Sequence, residues 1–384
     1  MGGRRIGRSG DRPELWAARA AVAERAVCAR QLRRGLLTGR LTELDVWPAG
    51  RLRRGRRSPW RATLLDCAVD AWLRAPTADR QARLTGLVRG LRVRPNRLGN
   101  AELATLTLAL HRAHSTAGAR GRPALTKPAL RRLRASWSDH AGGGLWSDEP
   151  GGRKDAVVNG AAALLFAQLA TEGGEKADLH RARSTVDWVL HHLLEDGLVV
   201  TGLSVAPDGG VGAVDRTITL PGNAYLLGTC ARLAVSTGER GWPTVTARLV
   251  TAVTDRLADA DHVLRGSGPG PALGLLSRNL ASAALALRDD PAAARAAQVV
   301  FGSAEAAWRH RAVARGGPLF GPEWTVPAIS PTERPLAGDP GAPVPRAERQ
   351  LSTQLAGWLA LESAALLERA GFADRGSARR PRTL

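Results

Sequence analysis

The chain is a succession of apolar, alanine- and leucine-rich segments of 15 to 25 residues, cut apart by clusters of glycine, proline and charge. That length and composition suit amphipathic helices and not strands. The spacing predicts helices near 14–36, 60–74, 78–90, 101–116, 126–138, 154–171, 177–194, 221–237, 242–260, 272–287, 291–313 and 350–370, about twelve in all. Within 179–194, Leu179, Ala182, Val186, Val189, Leu190, Leu193 and Leu194 recur at the three-four spacing of one buried face. Leu226, Leu227, Cys230, Leu233 and Ala234 repeat that pattern in 223–235. Twelve consecutive antiparallel helices fit an all-α chain that closes as an (α/α)6 toroid of six helical hairpins. They also fit an irregular helical bundle, and periodicity alone does not choose between them.

With 384 residues the chain exceeds the usual length of one domain, but a toroid uses that length as a single unit. No proline-rich hinge separates two differently composed halves, so one domain is expected over 13–372. Basic, disordered arms are expected at 1–12 and 373–384. A hydrophobic share of 44% against 23% charged excludes a wholly disordered or fibrous protein. There is no run of 18 apolar residues and no apolar segment behind the basic start, so neither a membrane span nor a secretory signal is expected and the cytoplasm is the default location.

The formal charge of +20 first suggests a polyanionic partner. Residues 1–60 hold 15 arginines against 5 acids, and 375–384 hold Arg375, Arg379, Arg380 and Arg382 with no acid, which leaves +6 for the 314 residues between. The clusters at 51–57 and 375–382 lack interleaved aromatic residues for base stacking. Solvated arms therefore weigh more than nucleic-acid or anionic-surface contact through them. No cofactor is implied: the glycine-rich dinucleotide and phosphate-loop patterns are absent, as are H-E-x-x-H and G-x-S-x-G. Cys28, Cys67 and Cys230 are too far apart for a close metal clamp, and pairs such as His111 and His114 read as ordinary helix residues, so no metal is expected.

Three long connections carry the remaining information: 139–155, 195–222 and 314–350. Loops of this length in a compact protein are commonly functional. Residues 199–207 have strand character, and the aromatics Trp146, Phe320 and Trp324 favour ordered loops.

Several segments, in order, resemble glycoside hydrolase family 76. The run 139-DHAGGGLWSDEPGGRKDAVVNGAAALLFAQLATEGG-174 is similar to that family's Gly-Gly-Gly-(Ile/Leu)-Trp loop followed by Lys-Asn-x-x-x-Asn-Gly. Gly144, Leu145, Trp146, Lys154, Asn159 and Gly160 stand where the pattern asks, with Asp155 in place of its first asparagine. The stretch 183–202 resembles a family helix ending in Trp before an Asp-Gly-Leu-Val loop. Gly274, Leu275, Arg278 and Leu280 resemble its Phe-x-Gly-Ile-x-x-Arg-Tyr-Leu stretch, and 324–327 with 351–366 resemble its last loop and final inner helix. The resemblance spans roughly residues 14–370. It implies an (α/α)6 barrel related to endo-acting α-1,6-mannanases and transglycosylases, a glycan or sugar as partner, and Trp146, Asp155, Asn159 and Arg278 as substrate-binding residues at one end of the barrel.

The chemistry does not follow from the resemblance. Glycoside hydrolysis requires two carboxyl groups, one to protonate the leaving oxygen and one to act as nucleophile or base. The family's adjacent aspartates open an inner helix in an Asp-Asp-x-x-Trp-Trp context, and here 99-GNAELATLTLAL-110 stands in that place. Asn100 and Ala101 occupy the acid positions, and Ala104 and Thr105 those of the aromatics. The segment 221-PGNA-224 also departs from the family's Tyr-Asn-Gln-Gly. Glu102 reads as a first-turn residue that suits the helix dipole, or as an acid displaced by one or two positions. Asp155 is another weak alternative, as is any of the loop acids Asp148, Glu149, Asp208 and Asp215. Trp146 reads as a sugar platform or as a plug in the barrel mouth. The expectation is a degenerate glycosidase site that binds carbohydrate or serves a structural role. An active hydrolase of an α-linked glycan with relocated carboxylates is the alternative.

Overall fold

A computed structural model describes residues 14–35, 39–47, 58–91, 94–119, 123–148, 151–173, 176–266, 270–330 and 347–372. The arms expected at 1–12 and 373–384, the arginine cluster 51–57 and Glu149 lie outside the described residues.

Six helices form a closed inner ring, each packed on the next: α2 (Arg61–Arg74), α4 (Asn100–Ser115), α6 (Ala156–Thr171), α8 (Leu220–Thr237), α10 (Ala272–Ala286) and α12 (Leu351–Arg369), the last returning to α2. Six more pack outside the ring: α1 (Leu15–Gln31), α3 (Ala78–Gly90), α5 (Pro123–Ala135), α7 (Lys176–His192), α9 (Gly241–Arg256) and α11 (Pro291–Arg309). The twelve segments read from the sequence are these twelve helices, and the toroid is the arrangement they adopt.

Burial explains the two kinds of helix. An outer helix has one covered face, and α9 buries Trp242, Thr246, Leu249, Val250 and Val253 at helical spacing. An inner helix is covered on both sides. In α12 every residue from Leu351 to Ala365 is buried, and in α6 Val158 to Ala167 form an unbroken buried run. Small residues let these helices approach closely; a side chain at Gly160 of α6 would place its Cβ 2.7 Å from Cβ of Tyr225 on α8.

The connections alternate in length. Each of the first five inner helices runs to the following outer helix through a link of three to seven residues, whereas each return to the next inner helix takes nine to forty-one. All the long loops therefore gather at one end of the ring, above the N-termini of the inner helices. The short strands lie in these loops: β1 (Leu32–Arg34) pairs with β2 (Leu41–Glu43), β3 (Arg153–Asp155) and β4 (Leu194–Glu195) flank β5 (Leu198–Val205), β5 also pairs with β6 (Val211–Ile218), and β7 (Ala312–Ala314) pairs with β8 (Gly317–Leu319), all antiparallel. Strand character at 199–207 is realised as β5. Its partner β6 is largely exposed and carries no apolar run, which is why composition did not mark it. Helix α1 stops at Gln31, short of residue 36, because the chain turns there into the β1–β2 hairpin.

The lumen holds a buried ionic network. Arg112 of α4 pairs with Asp66 and, at 2.7 Å, with Asp70, both on α2. Arg278 of α10 reaches across to Asp70 at 2.8 Å. A second network ties the ring to the outer layer: Arg74 joins Glu362 of α12 at 2.9 Å to Glu24 of α1 at 2.6 Å, and the indole of Trp358 donates to Glu362. Burial pushes the Asp70 carboxyl up, but Arg278 and Arg112 outweigh it and hold the group below the usual carboxylate range. For Glu362 burial wins over the pull of Arg74, and its carboxyl is pushed up to about 7.

A carboxyl whose folded value is raised from 4.5 to about 7 contributes stability that is fully present below pH 4.5 and is lost as pH rises through 7. Relative to Glu362→Gln, the natural chain is expected to lose up to about 3 kcal/mol of unfolding free energy between pH 4.5 and 7.5. Urea unfolding of both proteins at the two pH values checks this, and a difference that does not change with pH would contradict it.

Candidate functional site

The loop joining α5 to α6 builds one wall of the loop end. Ala141, Gly142, Gly143 and Gly144 all have positive φ, between 49° and 127°. Three consecutive glycines adopt this course without the steric cost a side chain would meet. At Gly144 a Cβ would also lie 2.7 Å from the Trp188 ring, so the glycine satisfies both backbone and packing. The coil closes on Lys154, which is fully buried. Its ammonium donates to the backbone carbonyls of His140, at 2.6 Å, and Gly143, and meets the carbonyl and hydroxyl of Ser138 at 3.1 Å. It also lies 4.7 Å from the Trp146 ring centroid and 5.9 Å from that of Trp188. Burial pushes Lys154 down to about 8. Trp146 is only 4% exposed, packed between this ammonium and the His140 ring at 5.6 Å.

Side-chain amides one turn inside the inner helices fasten the loops. Asn159 accepts from the Leu145 N–H at 2.8 Å and donates to the carbonyls of Leu145 at 3.1 Å and Asp155 at 2.8 Å. Asn223 does the same with both backbone groups of Val199 and the carbonyl of Thr219. Gln354 does it with both groups of Phe320 and the carbonyl of Glu348. Asn159, Asn223 and Gln354 stand four residues after Asp155, Thr219 and Gln350, the N-caps of their helices. Asn223 belongs to the 221-PGNA-224 segment, whose departure from the family pattern thus retains a loop-holding asparagine.

At the start of α4, Asn100 is 1% exposed. Its backbone N–H donates to the Ser147 carbonyl at 3.1 Å, and its side-chain amide donates to the carbonyls of Trp146 at 2.8 Å and Asp148 at 3.2 Å. Among the described residues its Oδ1 has no partner, and neither does the buried Ser147 hydroxyl. Ala101 beside it is half-buried and offers no polar atom. Glu102 is more open, with 35% of its side chain exposed, and its Oε1 lies 4.0 Å from Arg61 Nε; Glu43 of β2 approaches the same nitrogen at 3.9 Å. The two carboxylates converge on one guanidinium and are no further apart than about 8 Å.

The residues singled out from the sequence fall into two groups. Trp146, Asp155 and Asn159 share the loop and helix start just described, and Asn100 joins them through the Trp146 carbonyl. The Asp155 carboxylate caps α6 by accepting from Val158 N–H at 2.8 Å. Arg278 lies in the lumen, in the middle of α10, with its guanidinium on Asp70. Asp208 accepts the Gly210 N–H in the turn of the β5–β6 hairpin, and Asp215, within β6, accepts the Thr217 N–H and pairs with Arg153 at 3.0 Å. Sequence reasoning missed Glu43, Arg61, Asp66, Asp70 and Arg112. It also missed the amide clamps, whose regular spacing from a helix start was available as a signal. Among the described residues no group of three or more His, Cys, Asp or Glu is arranged to hold a metal ion, and no helix is long and apolar enough to cross a membrane.

Replacing Lys154 by Met keeps the volume but strands its acceptors in a buried site. A loss of about 3 kcal/mol in urea unfolding is expected, with faster hydrogen exchange confined to 138–147. A loss below about 0.5 kcal/mol, the scale of an ordinary surface change, would contradict the role given to Lys154.

Residues 101–332 match the model of glycosyl hydrolase family 76. No curated protein matches the sequence. Among solved structures, the chain is similar to the α-1,6-mannanase GH76A of Salegentibacter sp. HEL1_6. An inactive variant of that enzyme with two neighbouring aspartates changed to asparagine, in complex with α-1,6-mannotriose, is 21% identical with a TM-score of 0.76, over 92% of this chain and 99% of the other. A second inactive variant, with both changed to alanine and in complex with α-1,6-mannotetrose, is 23% identical with the same TM-score and coverage. Dfg5 from Chaetomium thermophilum, in complex with glucosamine, is 16% identical with a TM-score of 0.72, over 98% of this chain and 100% of the other.

Proposed function

The chain belongs to glycosyl hydrolase family 76, and within that family we propose that it binds an α-linked, mannose-containing glycan at its loop end without hydrolysing it. The observation that carries this reading is the side chain of Asn100. It stands where the family resemblance places one of two adjacent catalytic aspartates, and its amide points two N–H bonds at the carbonyls of Trp146 and Asp148. An aspartate in that rotamer would face both carbonyl oxygens and would need a proton on the oxygen between them. Asparagine donates to both carbonyls at once, where a protonated aspartate donates to only one, and it has no proton to release. Ala101, in the second position, supplies neither nucleophile nor base.

The mannanase variants support the binding half of the reading. With asparagine or alanine in place of both aspartates, that enzyme is inactive and still forms complexes with α-1,6-linked oligosaccharides. This chain carries one of each natively. Trp146, Asp155 and Asn159 are proposed to shape the binding end, Asn159 by positioning the loop that carries Trp146. Arg278, neutralised by Asp70, is proposed to act on the ligand only through the lumen network.

Reducing-end release from α-1,6-mannan compares the natural chain with the double variant Asn100→Asp, Ala101→Asp. The natural chain is expected to stay at the level of buffer, and the double variant to rise above it, because general acid–base catalysis is typically worth about 10²- to 10⁴-fold. Ala104 and Thr105 keep that rise well below a working mannanase. Turnover by the natural chain that Glu102→Gln abolishes would overturn the proposal and assign the chemistry to the Glu43–Glu102 pair, whose spacing is within reach of the roughly 6.5–9.5 Å of an inverting enzyme.

A further inference from the structure

The C-terminus of α1 lies at the loop end of the ring, and there the chain buries a cation that no acid balances among the described residues. Arg30 is 4% exposed. One terminal nitrogen donates to the Pro318 carbonyl of β8, while Nε and the other terminal nitrogen have no partner among the described residues. The guanidinium carbon lies 5.5 Å from the ring centroid of Trp47. Arg349 holds the backbone of the same tryptophan: its Nε donates to the Trp47 carbonyl at 3.0 Å, and the Trp47 N–H donates to the Arg349 carbonyl at 2.9 Å. The next residue along α1, Gln31, is 1% exposed and leaves both atoms of its side-chain amide unpartnered. Neither arginine forms an ion pair among the described residues. Burial lowers both, Arg30 to about 10, and among the described residues no carboxylate pulls the other way.

Elsewhere this protein balances its buried arginines: Arg112 has two aspartates, and Arg74 has two glutamates. A guanidinium does not shed its proton in a protein, so burial without a counter-ion is costly and calls for an anion. The planar fork of donors matches the paired oxygens of a carboxylate or a phosphate. We infer that Arg30 and Arg349, arranged around Trp47, form an anion-binding subsite at the rim of the loop end, one that takes a carboxylate or phosphate group as a free ion or as a substituent on a sugar. This site is separate from Asn100 and does not depend on whether the chain cleaves glycans.

Thermal unfolding of the full chain tests it, in chloride buffer of constant ionic strength with inorganic phosphate, glucuronate, mannose 6-phosphate or mannose added. The Tm of the natural chain is expected to rise with each anion but not with mannose, by about 3 °C at a hundred times the dissociation constant. Arg30→Met is expected to lose that rise and to have a Tm in chloride equal to or above that of the natural chain, since an unbalanced buried charge has been removed. Tighter binding of mannose 6-phosphate than of inorganic phosphate assigns a sugar-borne group, and equal binding assigns the free ion. Equal shifts in the natural chain and Arg30→Met would overturn the subsite and leave only a general response of a basic protein to anions. A Tm lowered in chloride by Arg30→Met and equally by Glu333→Gln with Asp339→Asn would also overturn it, by making the counter-ion internal. Arg349→Met gives the same readout should Arg30→Met fail to fold.

Discussion

A helix covered on both sides has few places for a polar side chain, and the inner helices resolve this at their first turns. Asn159, Asn223 and Gln354 each turn a buried amide towards the backbone of the preceding loop and satisfy a donor and an acceptor there. The arrangement does two things at once. It removes the cost of burying an amide, and it fixes three loops to the ring at one height. Lys154 adds the same logic with a charge, gathering the glycine coil that carries Trp146. The loop end is therefore a rigid rim set on a closed ring, and the site inherits its geometry from the core.

The fold was legible because inner and outer helices leave different marks: unbroken apolar runs as in α6 and α12, and a three-four stripe as in α9. Boundaries failed where a loop took over the end of an apolar segment, as at Gln31, where pairing of β1 with β2 outweighs helical continuation. Strand β6 was invisible because its residues face solvent and need no apolar pattern. For the site, the motif residues of one contiguous loop and helix start, Trp146, Lys154, Asp155 and Asn159, come together because they are near in sequence. Glu43 and Glu102, or Arg30 and Arg349, converge through ring closure, which no local pattern encodes.

In the lumen, Asp66, Asp70, Arg112 and Arg278 join in one network of opposite charges. Near the rim, among the described residues, Asn100 keeps one unpartnered oxygen, Ser147 an unpartnered hydroxyl, and Arg30 two unpartnered nitrogens. A ligand that reaches these atoms supplies the hydrogen bonds they lack. In the proposed reading, Asn100 and Ala101 stand in place of an acid pair, which removes the means of proton transfer and leaves the hydrogen-bonding surface in place.

The most direct measurement of the central claim is a crystal structure of the natural chain soaked with α-1,6-mannotriose and harvested after prolonged exposure. An intact trisaccharide seated at the loop end beside Trp146 and the start of α4 is the predicted result. Shortened sugar at that position, or a covalent adduct on a carboxylate there, would contradict it.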